Sequence, residues 1–165
     1  MSSSRTMVAN LVVACCLSRA AQAQGLLEAR AGHETTLEQQ AKESYEPETP
    51  PDELFTLIEY ETALGPMAAY LSTHEGKDLR PAILWLIGGI PGCVLSDTAW
   101  RYAPRDNDQS ARAYRDHGVV MMFPSPRGRG QNPGVIESFY GEVDDVLSAI
   151  AHLQRLDYVD PDAIY

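Results

Sequence analysis

Two short apolar runs decide much of what this 165-residue chain can fold into. Residues 82–87 (AILWLI) are stopped by a Gly-Gly pair, and residues 119–123 (VVMMF) are stopped by Pro124. Continuous apolar runs of this length are typical of strands buried on both faces of a sheet. A helix can form between them over residues 110–117, and a strand–helix–strand unit predicts parallel pairing with a right-handed connection.

A hairpin is predicted before this unit. Residues 54–61 and 67–72 are two short strand candidates, and Leu64-Gly65-Pro66 between them has turn chemistry. Because the connection is so short, we expect the two strands to pair antiparallel.

A helix and a further strand are predicted after it. Apolar residues three and four apart predict a helix over residues 139–156. Asp160-Pro161-Asp162 then predicts a turn, and residues 163–165 the start of another apolar strand. An unpaired apolar edge is an aggregation hazard, so we expect the sequence to be a fragment of a larger domain.

Charge and cysteine content exclude several classes of protein. The chain has 13 Lys+Arg against 23 Asp+Glu, a formal charge of -10, which argues against coating nucleic acid or anionic lipid. Cysteines at 15, 16 and 93 are too few for a disulfide framework or a thiolate metal cage. The four histidines show no metal-ligand spacing, so we expect no metal and no cofactor.

The N-terminus predicts export. Residues 1–23 combine Arg5, an apolar run over 7–17 and the cleavage-site pattern Ala21-Gln22-Ala23. The apolar run is about half of what a transmembrane anchor needs. An alternative is a lipoprotein, because Val-Val-Ala before Cys15 also resembles a lipobox. We therefore expect an extracytoplasmic protein, periplasmic or secreted, that contacts the membrane only if Cys15 is lipidated.

The remaining sequence divides into two parts. Residues 24–53 are polar, contain Pro47, Pro50 and Pro51, and are predicted to form a linker. The structured domain is expected over residues 54–165.

Four segments, taken in order, resemble the α/β-hydrolases, in particular the prolyl oligopeptidase-like and dienelactone hydrolase-like serine hydrolases. Residues 81–91 match the third strand with its Gly-Gly turn, and residues 114–134 match the fourth strand with its Arg-Gly loop. Residues 142–156 match the helix before the nucleophile strand, and residues 158–165 match that strand itself. The resemblance implies an α/β fold class, an incomplete three-layer α/β-hydrolase sandwich. In it an N-terminal hairpin precedes parallel strands with crossover helices, and the strand at 82–87 lies between the fourth and fifth strands.

The resemblance also implies a function, that of an exported serine hydrolase of peptidase or esterase type that attacks a peptide or ester substrate by acyl transfer. Gly88, Gly89 and Ile90 would then form the oxyanion hole, since backbone N–H groups stabilise the developing negative charge. Family members often carry His or Tyr before the Gly-Gly pair, where this chain has Ile87. Taken alone, the glycines are better explained as a tight turn after a buried strand.

The Arg127-Gly128-Arg129-Gly130 loop is the second candidate. It can cradle an anion, although it lacks the Gly-Lys-Ser/Thr ending of a phosphate loop. In the resembling family the Arg after this strand helps to fix the loop near the active site, so Arg127 and Gly128 are assigned to an active-site loop. Three acids at 142, 144 and 145 are expected to complement the dipole of their helix.

None of the residues of a catalytic triad is recognised. The chain contains no Gly-x-Ser-x-Gly, and the resemblance places the serine, the acid and the histidine beyond Tyr165. We therefore expect this chain to be inactive by itself. The alternative is a noncatalytic secreted or lipid-anchored α/β binding module that keeps the sheet and the Gly-Gly pocket, and the sequence does not fix a substrate.

Overall fold

The computed structural model describes residue 31 and residues 41–76, 78–87 and 95–165. The chain divides into two units, Met1–Thr36 and Leu37–Tyr165, and all described residues except Ala31 belong to the second. The predicted export signal at 1–23 and the predicted oxyanion residues Gly88, Gly89 and Ile90 lie outside the described residues. Within the described ranges, no helix has the length and apolar character needed to cross a membrane.

Five strands form one mixed sheet in the order β1-β2-β4-β3-β5. They are β1 (Phe55–Thr62), β2 (Gly65–Ser72), β3 (Arg80–Leu84), β4 (Val120–Pro124) and β5 (Val159–Ile164). β1 pairs antiparallel with β2 and β2 with β4, whereas β3 is parallel to both β4 and β5. Among the described residues, two α-helices lie between the parallel strands, α1 (Arg112–Arg115) before β4 and α2 (Glu142–Leu153) before β5. Two 3-10 turns, Asp97–Ala99 and Arg105–Asn107, precede α1.

This topology confirms the predicted fold class. The hairpin comes first, the parallel strands with their crossover helices follow, and β3 lies between β4 and β5. That is the arrangement which the resemblance to the α/β-hydrolases implies.

The sheet buries side chains on both faces. One face packs its core against α2, with Tyr60, Met122 and Leu153 among the buried residues. On the other face Phe55 and Phe123 pack with Leu95 and Ala99 from the segment that precedes α1. Every residue of β4 is buried, as the apolar run predicted, so β4 belongs to both cores.

The ends of the elements differ from the predictions where local hydrogen bonds decide them. Helix α2 begins at Glu142 instead of 139, because the Glu142 carboxylate accepts N–H bonds from Glu137, Ser138 and Phe139. Ser138 and Phe139 have left-handed φ values of 55° and 84°, which are incompatible with a helix. The helix predicted over 110–117 is confined to Arg112–Arg115, after Ala111 at a left-handed φ of 49°.

The turn predicted at Asp160-Pro161-Asp162 is wrong, because β5 runs through these residues from Val159 to Ile164. β5 pairs only with β3, and its register shifts between Val159 and Ile164. A proline is tolerated there because an edge strand does not need every N–H for pairing.

The hairpin turn also differs from the prediction. It consists of Ala63 and Leu64, and Gly65 already belongs to β2. Gly65 has a φ of 118°, a conformation that side-chain-bearing residues rarely adopt, and its carbonyl accepts the Thr62 hydroxyl at 2.7 Å.

Candidate active site

The carboxyl ends of β3 and β4 meet at one edge of the sheet. Because the two strands are parallel, the chain leaves β3 towards Gly88 and leaves β4 towards Arg127 at this same edge. Open α/β sheets bind their ligands in the crevice beyond the carboxyl ends of the strands. This carboxyl edge is therefore the candidate active site.

A buried ion-pair network fixes the loop after β4. Nε of Arg127 donates to Asp145 at 3.0 and 3.2 Å, and its Nη2 donates to Asp145 at 2.8 Å. Nη1 of Arg127 donates to Glu137 at 2.8 Å, and the backbone N–H of Arg127 adds a bond of 3.0 Å to Asp145. Arg127 is 8% exposed and Asp145 is 2% exposed, so the network lies in the protein interior.

The network keeps its charges because each is paired. The hydrogen bonds that Arg127 donates to Asp145 raise the pKa of Arg127 further above its ordinary value, against the effect of burial. Burial, followed by the charge of Asp145, raises the pKa of Tyr60, so its hydroxyl stays protonated and donates to the Ser125 carbonyl at 3.4 Å. Removing one partner from such a buried pair is strongly destabilising, since it leaves a charge uncompensated. Arg127 is thus held as a positioning residue of the loop.

Asn132 fixes the backbone of the same loop. Its amide nitrogen donates to the carbonyls of Ser125 at 2.7 Å and Pro126 at 3.1 Å. Its side-chain oxygen accepts the backbone N–H of Ala68 in β2 at 3.0 Å. One side chain therefore ties the start of the loop to the neighbouring strand.

Two glycines are required by close approach. Gly128 has a φ of 70°, and a Cβ there would lie 2.6 Å from the backbone nitrogen of Ile136. A Cβ on Gly141 would overlap the guanidinium of Arg127. The glycine predicted in the active-site loop is thus needed for the backbone to fold over itself.

The N-terminal strap, defined here as residues 41–50, covers the outside of this loop. The carboxylate of Glu43 accepts a hydrogen bond from Arg129 at 2.5 Å, and the backbone N–H of Glu43 donates to the Gly128 carbonyl at 2.8 Å. Tyr45 and Ser125 hydroxyls lie 3.4 Å apart, and the Tyr70 hydroxyl donates to the Glu48 carbonyl at 2.6 Å. The part of the predicted linker at 24–53 that lies in the strap is therefore packed along the domain.

Arg127 is predicted in an active-site loop from the sequence, but the main partner of its side chain is not. The acids at 142, 144 and 145 were assigned to the helix dipole, but Asp145 pairs with Arg127 and Glu142 caps the backbone of the preceding loop. One signal could have found the pair. Asp145, Ala149 and Leu153 are spaced four apart on the buried side of α2, so a carboxylate on that stripe needs a cation.

The described part of this edge contains no nucleophile–base pair. The hydroxyl of Ser125 is buried beside Tyr45, and within the described ranges no serine is hydrogen-bonded to a histidine. Among the same residues, no cluster of His, Cys, Asp or Glu could hold a metal ion. The described residues thus form the structural support of a site, a fixed loop beside the end of β3.

No protein-family model and no curated protein matches this chain. Similar solved structures include XC6422 from Xanthomonas campestris, an α/β serine hydrolase without a lid, at 19% identity and a TM-score of 0.43 over 65% of this chain and 47% of that one. Another is EstE1, a thermostable carboxylesterase cloned from a metagenomic library, at 19% identity and a TM-score of 0.45 over 71% of this chain and 36% of that one. The chain spans less than half the length of either protein.

Proposed function

We propose that this chain is the N-terminal part of an exported serine hydrolase of α/β-hydrolase type, a peptidase or carboxylesterase that acts on a peptide or ester by acyl transfer. The observation that supports it best is the strand order β1-β2-β4-β3-β5, in which β3 and β4 end at one carboxyl edge beside the Arg127 loop. The order agrees with the resemblance in the sequence, and the edge is where such a sheet binds its substrate.

In this proposal the backbone N–H groups of Gly88, Gly89 and Ile90 stabilise the oxyanion of the tetrahedral intermediate. Loss of one such donor typically costs about 3–4 kcal/mol of the activation barrier. Arg127, fixed by Asp145 and Glu137, holds the adjacent loop in place and does not touch the reacting atoms.

The nucleophile is proposed to follow β5. A buried strand of this kind is followed by a strained turn that exposes the serine of Gly-x-Ser-x-Gly, within about ten residues after Tyr165. An acid and then a histidine would follow to complete the triad. The 165-residue chain by itself is accordingly proposed to be inactive.

Export is proposed from residues 1–23, with cleavage after Ala23 and a mature N-terminus at Gln24. Intact-mass analysis of the product made with its signal checks this. A lipid on Cys15 would favour the lipoprotein alternative, and a retained Met1 would contradict both.

The test of the hydrolase proposal compares two products of the same gene, the 165-residue chain and the chain continued through its downstream coding sequence. Both are treated with a fluorophosphonate probe that labels activated serines. We expect labelling of the continued chain only, and its loss when the serine of Gly-x-Ser-x-Gly is changed to Ala.

Two results would contradict the hydrolase proposal. They are a natural stop codon directly after Tyr165, and a continued chain that folds but is not labelled. Either would favour a noncatalytic α/β binding module.

A further inference from the structure

A second polar site lies at the opposite edge of the sheet, where the parallel strands begin. A cleft of about 170 Å³ is formed between the end of β2 and the turn that leads from α1 into β4. Its lining includes His74, Arg115 and Gly118. We name it the amino-edge cleft. Strands of five residues rise roughly 3.3 Å per residue, so it is separated from the Arg127 loop by the full length of β4.

Three buried nitrogens without a hydrogen-bond partner surround this cleft. Within the described residues they are Nε2 of His74, Nε of Arg80 and Nε of Arg115, and they are all the orphaned buried side-chain nitrogens and oxygens found there. Two of the three residues line the cleft. The third, Arg80, extends its guanidinium against Gly118, where a Cβ would lie 2.5 Å from Nη1. Buried donors without an acceptor are rare in folded proteins and usually indicate an absent partner.

Arg115 packs against an aromatic ring. The carbon of its guanidinium lies 4.7 Å from the centre of the Phe55 ring, and its buried Nε has no hydrogen-bond acceptor among the described residues. Burial lowers the pKa of Arg115, against the nearby charges of Asp116 and Asp108. A guanidinium presents N–H donors in a planar fork that matches two oxygens of a carboxylate or phosphate. Arg115 is thus a preformed donor without an acceptor.

His74 is fixed by stacking. Its ring lies 5.1 Å from the ring of Tyr158 at an interplanar angle of 30°. The stacking sets the direction of the imidazole, and the tautomer with a proton on Nε2 can donate.

The carboxylates of the cleft are Glu53 and Asp116. Asp116 accepts a hydrogen bond from Arg112 at 3.1 Å. The side chain of Asp116 is 54% exposed and that of Arg112 is 61% exposed. Solvent therefore screens these negative charges, whereas the orphaned nitrogens are removed from solvent.

We propose that the amino-edge cleft binds a small oxyanion, the phosphate or carboxylate group of a small molecule, with Arg115 and His74 as donors and Arg80 as a supporting cation. The site is separate from the carboxyl edge, so it does not depend on the hydrolase proposal.

The experiment is calorimetric titration of the full chain with inorganic phosphate and with malonate at constant ionic strength. We expect binding of at least one of the two, and the tighter one identifies the group. Arg115→Gln should weaken binding about tenfold or more, the effect of one lost hydrogen bond to a charged group. His74→Phe keeps the stacking on Tyr158 and should also weaken binding.

Arg101→Gln is the matched control, since Arg101 is exposed, pairs with Asp97 and lies outside the cleft. It should bind like the unchanged chain. Asp116→Asn removes a negative charge from the cleft and should tighten binding, which a merely structural role of these residues would not produce.

Absence of binding by the unchanged chain at tens of millimolar of either anion would overturn the proposal. Equal affinities of the Arg115→Gln and Arg101→Gln variants would do the same. If Arg115→Gln does not fold, the His74→Phe and Asp116→Asn variants decide, because they must move the affinity in opposite directions.

Discussion

Two arginines at opposite edges of the sheet are held in contrasting ways. Arg127, at the carboxyl edge, is surrounded by two carboxylates and makes five hydrogen bonds to Asp145 and Glu137, four from its side chain and one from its backbone. Arg115, at the amino edge, lies over the Phe55 ring and has a buried Nε without an acceptor. The surroundings raise the pKa of the first guanidinium and lower that of the second.

The contrast separates structural cations from binding cations. Four side-chain hydrogen bonds direct the guanidinium of Arg127 at the chain's own acids, so Arg127 acts through the loop that it fixes. The Nε of Arg115 is buried and has no acceptor, so in our proposal Arg115 can bind a ligand. Position at the expected active edge is therefore a poor guide to which arginine meets a ligand.

The largest expected effect comes from removing the partner of Arg127. Asp145→Asn should lower the free energy of unfolding by about 3–5 kcal/mol, because it leaves a buried guanidinium without its main counter-charge. Urea unfolding measures the change. Asp97→Asn makes the same chemical change in the exposed pair with Arg101 and should cost less than about 1 kcal/mol. Equal costs for the two variants would mean that the buried network does not differ from a surface pair.

Glycine substitutions at the two edges come next. Gly128 and Gly118 have left-handed φ values of 70° and 76°, so an alanine at either costs about 1–2 kcal/mol in backbone strain. A Cβ at 128 also meets the backbone of Val135 and Ile136, whereas at 118 it meets only the flexible end of Arg80. Gly128→Ala should therefore cost at least about 1 kcal/mol more than Gly118→Ala in urea unfolding. The reverse order would show that the Arg127 loop is the more adaptable edge.

Removal of the unpaired cation should have a small effect on stability. Arg115→Met keeps the packing on Phe55, loses a cation–π contact of about 0.5–1 kcal/mol and relieves an unsatisfied buried N–H. We expect the free energy of unfolding, measured in buffer free of phosphate and carboxylate, to change by less than about 1 kcal/mol. A loss of several kcal/mol would mean that Arg115 is as essential to the fold as Arg127.

The smallest expected effect is the pH dependence of stability that comes from His152 in α2. Burial, followed by the charge of Arg155, lowers the pKa of His152, whose ring meets the ring of Tyr60 edge-on at 6.5 Å between ring centres. The unfolded state then binds a proton more readily, so stability falls as the pH drops below about 6.5. His152→Phe should lose less stability than the unchanged chain between about pH 7 and about pH 5. Parallel pH profiles of the two proteins would contradict the assignment.

Much of the fold could be predicted because local pattern and long-range pairing agree. The apolar run at 119–123 became β4, and the short connection after β1 produced the antiparallel hairpin. The run at 82–87 was only half right, because β3 covers Arg80–Leu84 and Leu86 is 57% exposed. The predictions were wrong where a single side chain, or the position of a strand at the edge of the sheet, determines the local structure. Glu142 ends the loop before α2 by accepting three N–H bonds, and Pro161 stays in a strand because β5 is an edge.

The candidate sites were less predictable because their residues come from distant parts of the chain. Arg127 followed from the resemblance, but its pairing with Asp145 depends on which side of α2 faces the loop. The amino-edge cleft joins His74, Arg80 and Arg115 from three separate segments, and no spacing in the sequence relates them. The predicted oxyanion residues Gly88, Gly89 and Ile90 remain a prediction, outside the described residues.

The N-terminal strap has a consequence for the order in which the protein folds. Tyr45 and Glu43 meet partners 80 and 86 residues further along the chain, at Ser125 and Arg129. During synthesis these partners emerge long after the strap, so the strap docks only once the loop that follows β4 has formed. The strap docks on the loop that the Arg127–Asp145 pair holds in place. The rate at which a protease cuts within residues 41–50 would therefore show whether that buried pair is intact.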